Sequence, residues 1–189
     1  MYKRQAIVLN KIEPATDYTV VYAGALGYNK NRFLYELDRL PRQWHLSVYG
    51  KGLEADKILN KEYFSYNGFL PADQLISSVQ GDFGLVWDGF SVDACTGNFG
   101  EYLKYNNPHK TSLYIRCELP VIIWDQAALS DFVRSNGIGI CISSLAELDT
   151  ILSSLTPAQY AKMKQNTVEI SKRLSQGYYI TKALSEVAF

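Results

Sequence analysis

Cysteine is scarce in this chain, and the three present, Cys95, Cys117 and Cys141, lie far apart with no Cys-x-x-Cys pair. An odd and scattered set builds neither a disulfide framework nor a zinc site, and a reducing cytoplasm is its natural home. Net charge is absent as well: 19 Lys and Arg balance 19 Asp and Glu. Bulk electrostatics therefore argues against a nucleic-acid binder, and any phosphate recognition has to be local. No apolar run reaches the length that spans a bilayer, and no charged-then-apolar signal opens the chain. The 2 histidines, His45 and His109, fall in no Ser-His-Asp or Cys-His arrangement, and carboxylates with metal-ligand spacing are missing, so no metal or other cofactor is expected. Internal repeats and low-complexity linkers are lacking too.

What the chain does have is an alternation of strand and helix. Tyr18 to Ala23, Trp44 to Tyr49, Tyr63 to Asn67, Phe83 to Trp87, Val121 to Trp124 and Ile138 to Ile142 read as strands, rich in β-branched and aromatic residues. Helices are expected at Arg32 to Leu40, from Pro71 through Val79, from Pro108, at Ala127 to Ser135, Leu145 to Leu155, Pro157 to Leu174 and Tyr179 to Val187. A long loop is expected from Asp88 to Asn107. Short connections between alternating elements predict an α/β fold with one parallel sheet and helices on both faces.

The most informative segment runs from Gly100 to Ile115 and is closed by Leu119-Pro120-Val121-Ile122-Ile123-Trp124. Pro108 suits a first helical turn, where its missing N–H is not needed. The free N–H groups of that turn favour an anion. Lys110 adds a point charge that would neutralise a phosphate, and Asn106, Asn107 and Thr111 offer neutral hydrogen bonds. The plain alternative is that Asn107 caps the helix and Lys110 is a solvated surface charge.

The run from Cys95 to Tyr114, with its Asn-Asn-Pro-His-Lys core, preceded by Gly84-Leu85-Val86-Trp87-Asp88-Gly89 and followed by Leu119-Pro120-Val121-Ile122, resembles the C-terminal domain of the Gtf3-like bacterial glycosyltransferases. That group includes glucosyltransferases and galactofuranosyltransferase-like enzymes, and the resemblance extends from about Thr19 to the C-terminus. It implies the Rossmann-like donor half of a GT-B enzyme, in which two such domains face each other and the C-terminal one holds the nucleotide sugar. It also implies a reaction without divalent metal, because lysines and helix N-termini stabilise the leaving diphosphate. Many retaining GT-B enzymes carry two glutamates before the Gly-x-Pro-Val strand. Here Pro108, His109 and Lys110 occupy that helix, so a ribose-binding glutamate does not carry over.

From the resemblance, Gly24, Leu26 and Lys30 in the loop after the first strand, Asp88 after the fourth, and Tyr102, Asn106, Asn107, His109, Lys110 and Thr111 in the motif are candidate donor contacts. Each has a structural alternative. The glycine-rich loop is a common turn, Asp88-Gly89 a common Asx turn, and Lys51 is solvated by default. His109 is read as a phosphate or loop contact rather than a catalytic group, and His45 as a core or edge residue.

Residues 1–5, Met-Tyr-Lys-Arg-Gln, are what the adapter-like string GTG TAT AAG AGA CAG would encode, and read as a non-native scar. Residues 6–189 are then one nucleotide-sugar-binding domain. At 189 residues the chain has room for that domain but not for a two-domain enzyme, so an N-terminal acceptor domain is expected to be missing. The expected function is transfer of a hexosyl group, most naturally from a UDP-hexose, to a glycan or glycoprotein acceptor in polysaccharide or glycoprotein biosynthesis. The alternatives are a non-catalytic nucleotide-sugar-binding or regulatory module and a GT-B-shaped epimerase. Homo-oligomerisation stays open.

Overall fold

A computed structural model describes residues 18–187. The proposed scar at residues 1–5 lies outside them. Among the described residues the chain forms β1 (Thr19–Ala25), α1 (Phe33–Leu37), β2 (His45–Lys51), β3 (Phe64–Tyr66), α2 (Ala72–Ser78), β4 (Phe83–Val86), α3 (Gly97–Glu101), α4 (His109–Arg116), β5 (Val121–Trp124), α5 (Ser130–Asn136), β6 (Gly139–Ile142), α6 (Leu148–Ser154), α7 (Pro157–Ser175) and α8 (Tyr178–Val187). The strands make one parallel sheet in the order β3-β2-β1-β4-β5-β6. β4 and β5 are buried at every position, as unbroken apolar runs require of strands covered on both sides.

Both faces are covered for a reason visible in β1. Val21 and Tyr22 are consecutive and point to opposite sides of the sheet. The Tyr22 ring meets Phe33 of α1 edge-on, with centroids 5.4 Å apart. On the Val21 side, Gly84 of β4 lies in register with Val21, and a Cβ there would come within 2.1 Å of Tyr114 Cγ in α4. The missing side chain at Gly84 lets α4 press onto the sheet.

Two expectations change. The segment after Asp88 is not one long loop: α3 and a 3-10 turn at Tyr102–Lys104 divide it. Two glycines in the five residues of α3 conceal that helix from propensity. Leu145 to Leu155 is likewise a 3-10 turn, Leu145–Glu147, opened by a Ser144 and Glu147 capping box and running into α6. The long α7 starts as its sequence demands, with a Thr156 and Gln159 capping box and Pro157 in the first turn. No helix among the described residues is long and apolar enough to cross a membrane.

Candidate functional site

The strand order reverses between β1 and β4, since the chain builds outward from β1 through β2 to β3 before returning to β4. In open parallel sheets the crevice outside the strands' carboxyl ends at such a switch point is where ligands bind. β1 and β4 pair only through Val20 with Phe83 and Val21 with Gly84, so their carboxyl ends part. The Ala23 N–H in that gap donates to Tyr114 Oη at 2.7 Å.

Lys110 reaches into the crevice from the first turn of α4. Its Nζ lies 2.7 Å from both carboxylate oxygens of Asp88 and 3.0 Å from Tyr22 Oη, and 4.6 Å from the Tyr22 ring centroid. Tyr22 in turn donates to Asp88 Oδ1 at 3.2 Å. The Lys110 and Asp88 side chains are 17% and 15% exposed, so this ion pair is largely withdrawn from water yet open on one side. Burial lowers the Lys110 pKa from the usual lysine value; Asp88 opposes the shift through its charge and hydrogen bond, and Lys30 adds to it. Burial, reinforced by Asp88, raises Tyr22 well above an ordinary tyrosine, so it stays a neutral hydroxyl. Gly24 gives the lysine stem its room, since a Cβ there would sit 3.0 Å from Lys110 Cε.

The helix start adds to this charge. Pro108 occupies the N-cap position of α4 and no side chain caps it. The N–H of Thr111 bonds Pro108 O at 3.0 Å, while those of His109 and Lys110 have no partner within the helix. From the loop after β1, Lys30 Nζ rests 4.5 Å over the Phe99 ring of α3. Beside these cations a cleft of about 410 Å³ opens at the ends of β1 and β2, lined by Gly24, Tyr49, Lys51, Phe69 and Leu113 among others. Gly24 lines this cleft and also abuts the Lys110 stem, so cleft and crevice adjoin there.

Residues 20–187 match the family described as glucosyltransferase 3-like, C-terminal domain. The chain belongs to that family. It is 41% identical over 170 residues to the beta-1,6-galactofuranosyltransferase WbbI of Escherichia coli (strain K12), an alignment covering 89% of this chain and 48% of that protein. Glucosyltransferase 3 of Streptococcus gordonii is 30% identical over 121 residues, 64% of this chain and 35% of its own. The Gtf3-like domain thus spans half or less of these relatives' length. It shares its fold with Anabaena Alr3699/HepE, solved in complex with UDP-glucose, at a TM-score of 0.57 and 16% identity over 92% of this chain and 50% of that one. WaaG, a glycosyltransferase involved in lipopolysaccharide biosynthesis, matches at a TM-score of 0.53 and 14% identity, over 82% and 43%. The architecture is that of the Rossmann-like half of a GT-B glycosyltransferase.

The candidate residues of this Gtf3-like domain divide by position. Lys110, Asp88 and Gly24 meet in the crevice, and Lys30 stands close enough for its charge to act on Lys110. Asn107, His109 and Tyr102 are exposed around the start of α4, and Asn106 is half-buried with its Oδ1 enclosed and unpartnered. Leu26 is a correction. It is fully buried, its N–H donates to Lys51 O and its carbonyl accepts from Tyr35 Oη, so it has neither surface nor a free polar group for a ligand. Thr111 is another: it is 2% exposed and its hydroxyl is enclosed without a partner, so it presents no surface to a ligand. The Asx-turn alternative for Asp88 is displaced by its ion pair.

Three contributors escaped the sequence. Tyr22 and Tyr114 read as core aromatics, and both are, but their hydroxyls line the gap. Asn31 is wholly buried. Its Nδ2 donates to Ala25 O at 2.8 Å and its Oδ1 accepts from Gly89 N–H at 3.2 Å, tying the loop after β1 to the loop after β4. An asparagine in a turn that also holds Asn29 gives no local sign of this role.

Proposed function

We propose that this domain holds the donor of a glycosyltransferase, a nucleotide diphosphate hexose with UDP as the nucleotide, for transfer to a glycan or glycoprotein acceptor. The observation that carries the reading is Lys110 in the uncapped first turn of α4, at the sheet's switch point and next to an apolar-walled cleft that Gly24 borders. A diphosphate needs localised positive charge, and the ammonium plus helix N-terminus supply it. The cleft, with Phe69 and Tyr49 on its walls, offers the flat apolar surface a nucleoside uses. A galactofuranosyltransferase among the sequence relatives and UDP-glucose bound to a protein of the same fold support the choice.

During transfer the bond between the anomeric carbon and the diphosphate breaks, and negative charge grows on the departing diphosphate. Lys110, Lys30 and the α4 N–H groups are the groups of this chain that would stabilise it, in place of a resident divalent metal. The acceptor and the remaining catalytic groups come from a partner domain across the cleft. The three free thiols suit a cytoplasmic site of action, and self-association is left as an outcome of measurement.

Titration calorimetry of the chain with UDP and with uridine tests the reading. UDP is expected to bind, weakly, and better than uridine; equal affinities would remove the diphosphate assignment. The chain alone is expected to transfer no sugar, whereas a protein that adds the partner domain should.

A further inference from the structure

Resting on that reading, we propose that Asp88 is a positioning residue whose carboxylate keeps Lys110 aimed and charged inside the crevice, so that the ammonium meets the donor's diphosphate already in place. A lysine ammonium is a compact charge on a flexible four-carbon stem, and nothing in the stem fixes where it points. Here three contacts fix it. Both Asp88 oxygens lie at 2.7 Å, Tyr22 Oη lies at 3.0 Å, and Tyr22 closes the triangle by donating to Asp88 at 3.2 Å. The fourth contact, to Trp87 O at 3.5 Å, is too long to hold a proton firmly. One N–H shared between the two carboxylate oxygens and one given to Tyr22 leave a third for a phosphate oxygen.

The carboxylate also settles the charge. The groups facing Nζ are Asp88 after β4, Tyr22 on β1, Lys30 in the loop after β1 and Cys95 ahead of α3. Burial and Lys30 both disfavour the ammonium, while Asp88 is foremost in favouring it. An amide at position 88 would preserve shape and remove that support. Lys110 would then lose its proton at lower pH, and binding a diphosphate there would require the neutral amine to take up a proton from the solvent.

The test is Asp88→Asn with UDP-glucose as the probe, by calorimetry from about pH 6 to about pH 9, a window that ends below an ordinary lysine's titration. A diphosphate esterified at both ends keeps its charge there, whereas the terminal phosphate of UDP titrates at about 6. Wild-type affinity is expected to stay flat. Asp88→Asn is expected to lose about tenfold or more from the acidic to the alkaline end, with a buffer-dependent enthalpy that reports proton uptake. Asp88→Glu keeps the charge but moves it by one methylene, so it should bind more weakly at every pH without acquiring a slope. An Asp88→Asn profile parallel to wild type overturns the role of Asp88 alone. So does an Asp88→Glu protein indistinguishable from wild type, even where Asp88→Asn does not fold. Wild type binding UDP-glucose no better than uridine overturns the nucleotide-sugar reading itself.

Discussion

Tyr114 Oη accepts the Ala23 N–H at 2.7 Å across the gap where β4 stops pairing with β1. A strand interior would give that N–H to a neighbouring carbonyl. Here the strands part to form the crevice, and a side chain from α4 takes the carbonyl's place. The same helix that carries Lys110 therefore repairs the backbone the crevice interrupts. Site and fold are joined through one element.

Removing that hydroxyl should cost stability. Tyr114→Phe keeps the ring packed over Gly84 but leaves a buried N–H without its partner, which costs about 1–3 kcal/mol. Urea unfolding should show a loss in that range with an unchanged slope. A change of a few tenths or less would mean that water reaches the Ala23 N–H.

A pH dependence follows from His45. Its Nε2 lies 2.7 Å from Ser65 Oγ on the neighbouring strand, and burial first, with Arg42 second, lowers its pKa from the usual histidine value. The unfolded chain then binds the proton at higher pH than the folded one. Stability is complete above about pH 6.5 and is lost as pH falls through the folded pKa. Unfolding free energies measured from neutral to mildly acidic pH should decline, and His45→Gln should flatten part of that decline. An equally steep decline in His45→Gln would assign it to other groups.

Chelation offers a separate check. Counter-charge from Lys110, Lys30 and the α4 N-terminus leaves no task for a divalent ion in donor binding, so EDTA should leave UDP affinity within about twofold. A loss of about tenfold would point to an ion bridging phosphate and carboxylate, and Asp88 would be the first group to suspect.

The sequence made the sheet readable because β4 and β5 are unbroken apolar runs, and it located α4 and α7 because Pro108 and Pro157 mark helix starts. The site was legible only along the chain. Lys110 and Thr111 are adjacent, yet one helical step turns a side chain by about 100°, which sends the first into the crevice and leaves the second enclosed. Spacing names the motif but not the face it presents. Tyr22 and Lys110 stand 88 positions apart, and only the parallel order of the strands brings them together. Asn31 is hidden for the same reason, since its second partner, Gly89, lies 58 positions away.

Lys110→Ala separates the ligand role from the structural one. As a solvated surface charge this lysine would add little to the fold, but its ion pair with Asp88 lies mostly out of water. Truncation strands the carboxylate beside Tyr22, so the variant should be less stable than wild type, and Lys110→Ala with Asp88→Ala together should recover part of the loss. Binding should change in a different pattern. UDP affinity should fall by about 1.5–3 kcal/mol, the range for a charged hydrogen bond, while uridine, which lacks phosphates, should bind almost as before. Calorimetry below the variant's melting transition reads both. Equal losses for the two ligands would mean that the crevice has merely deformed, and no loss for either would leave Lys110 as a structural ion pair with the diphosphate bound elsewhere.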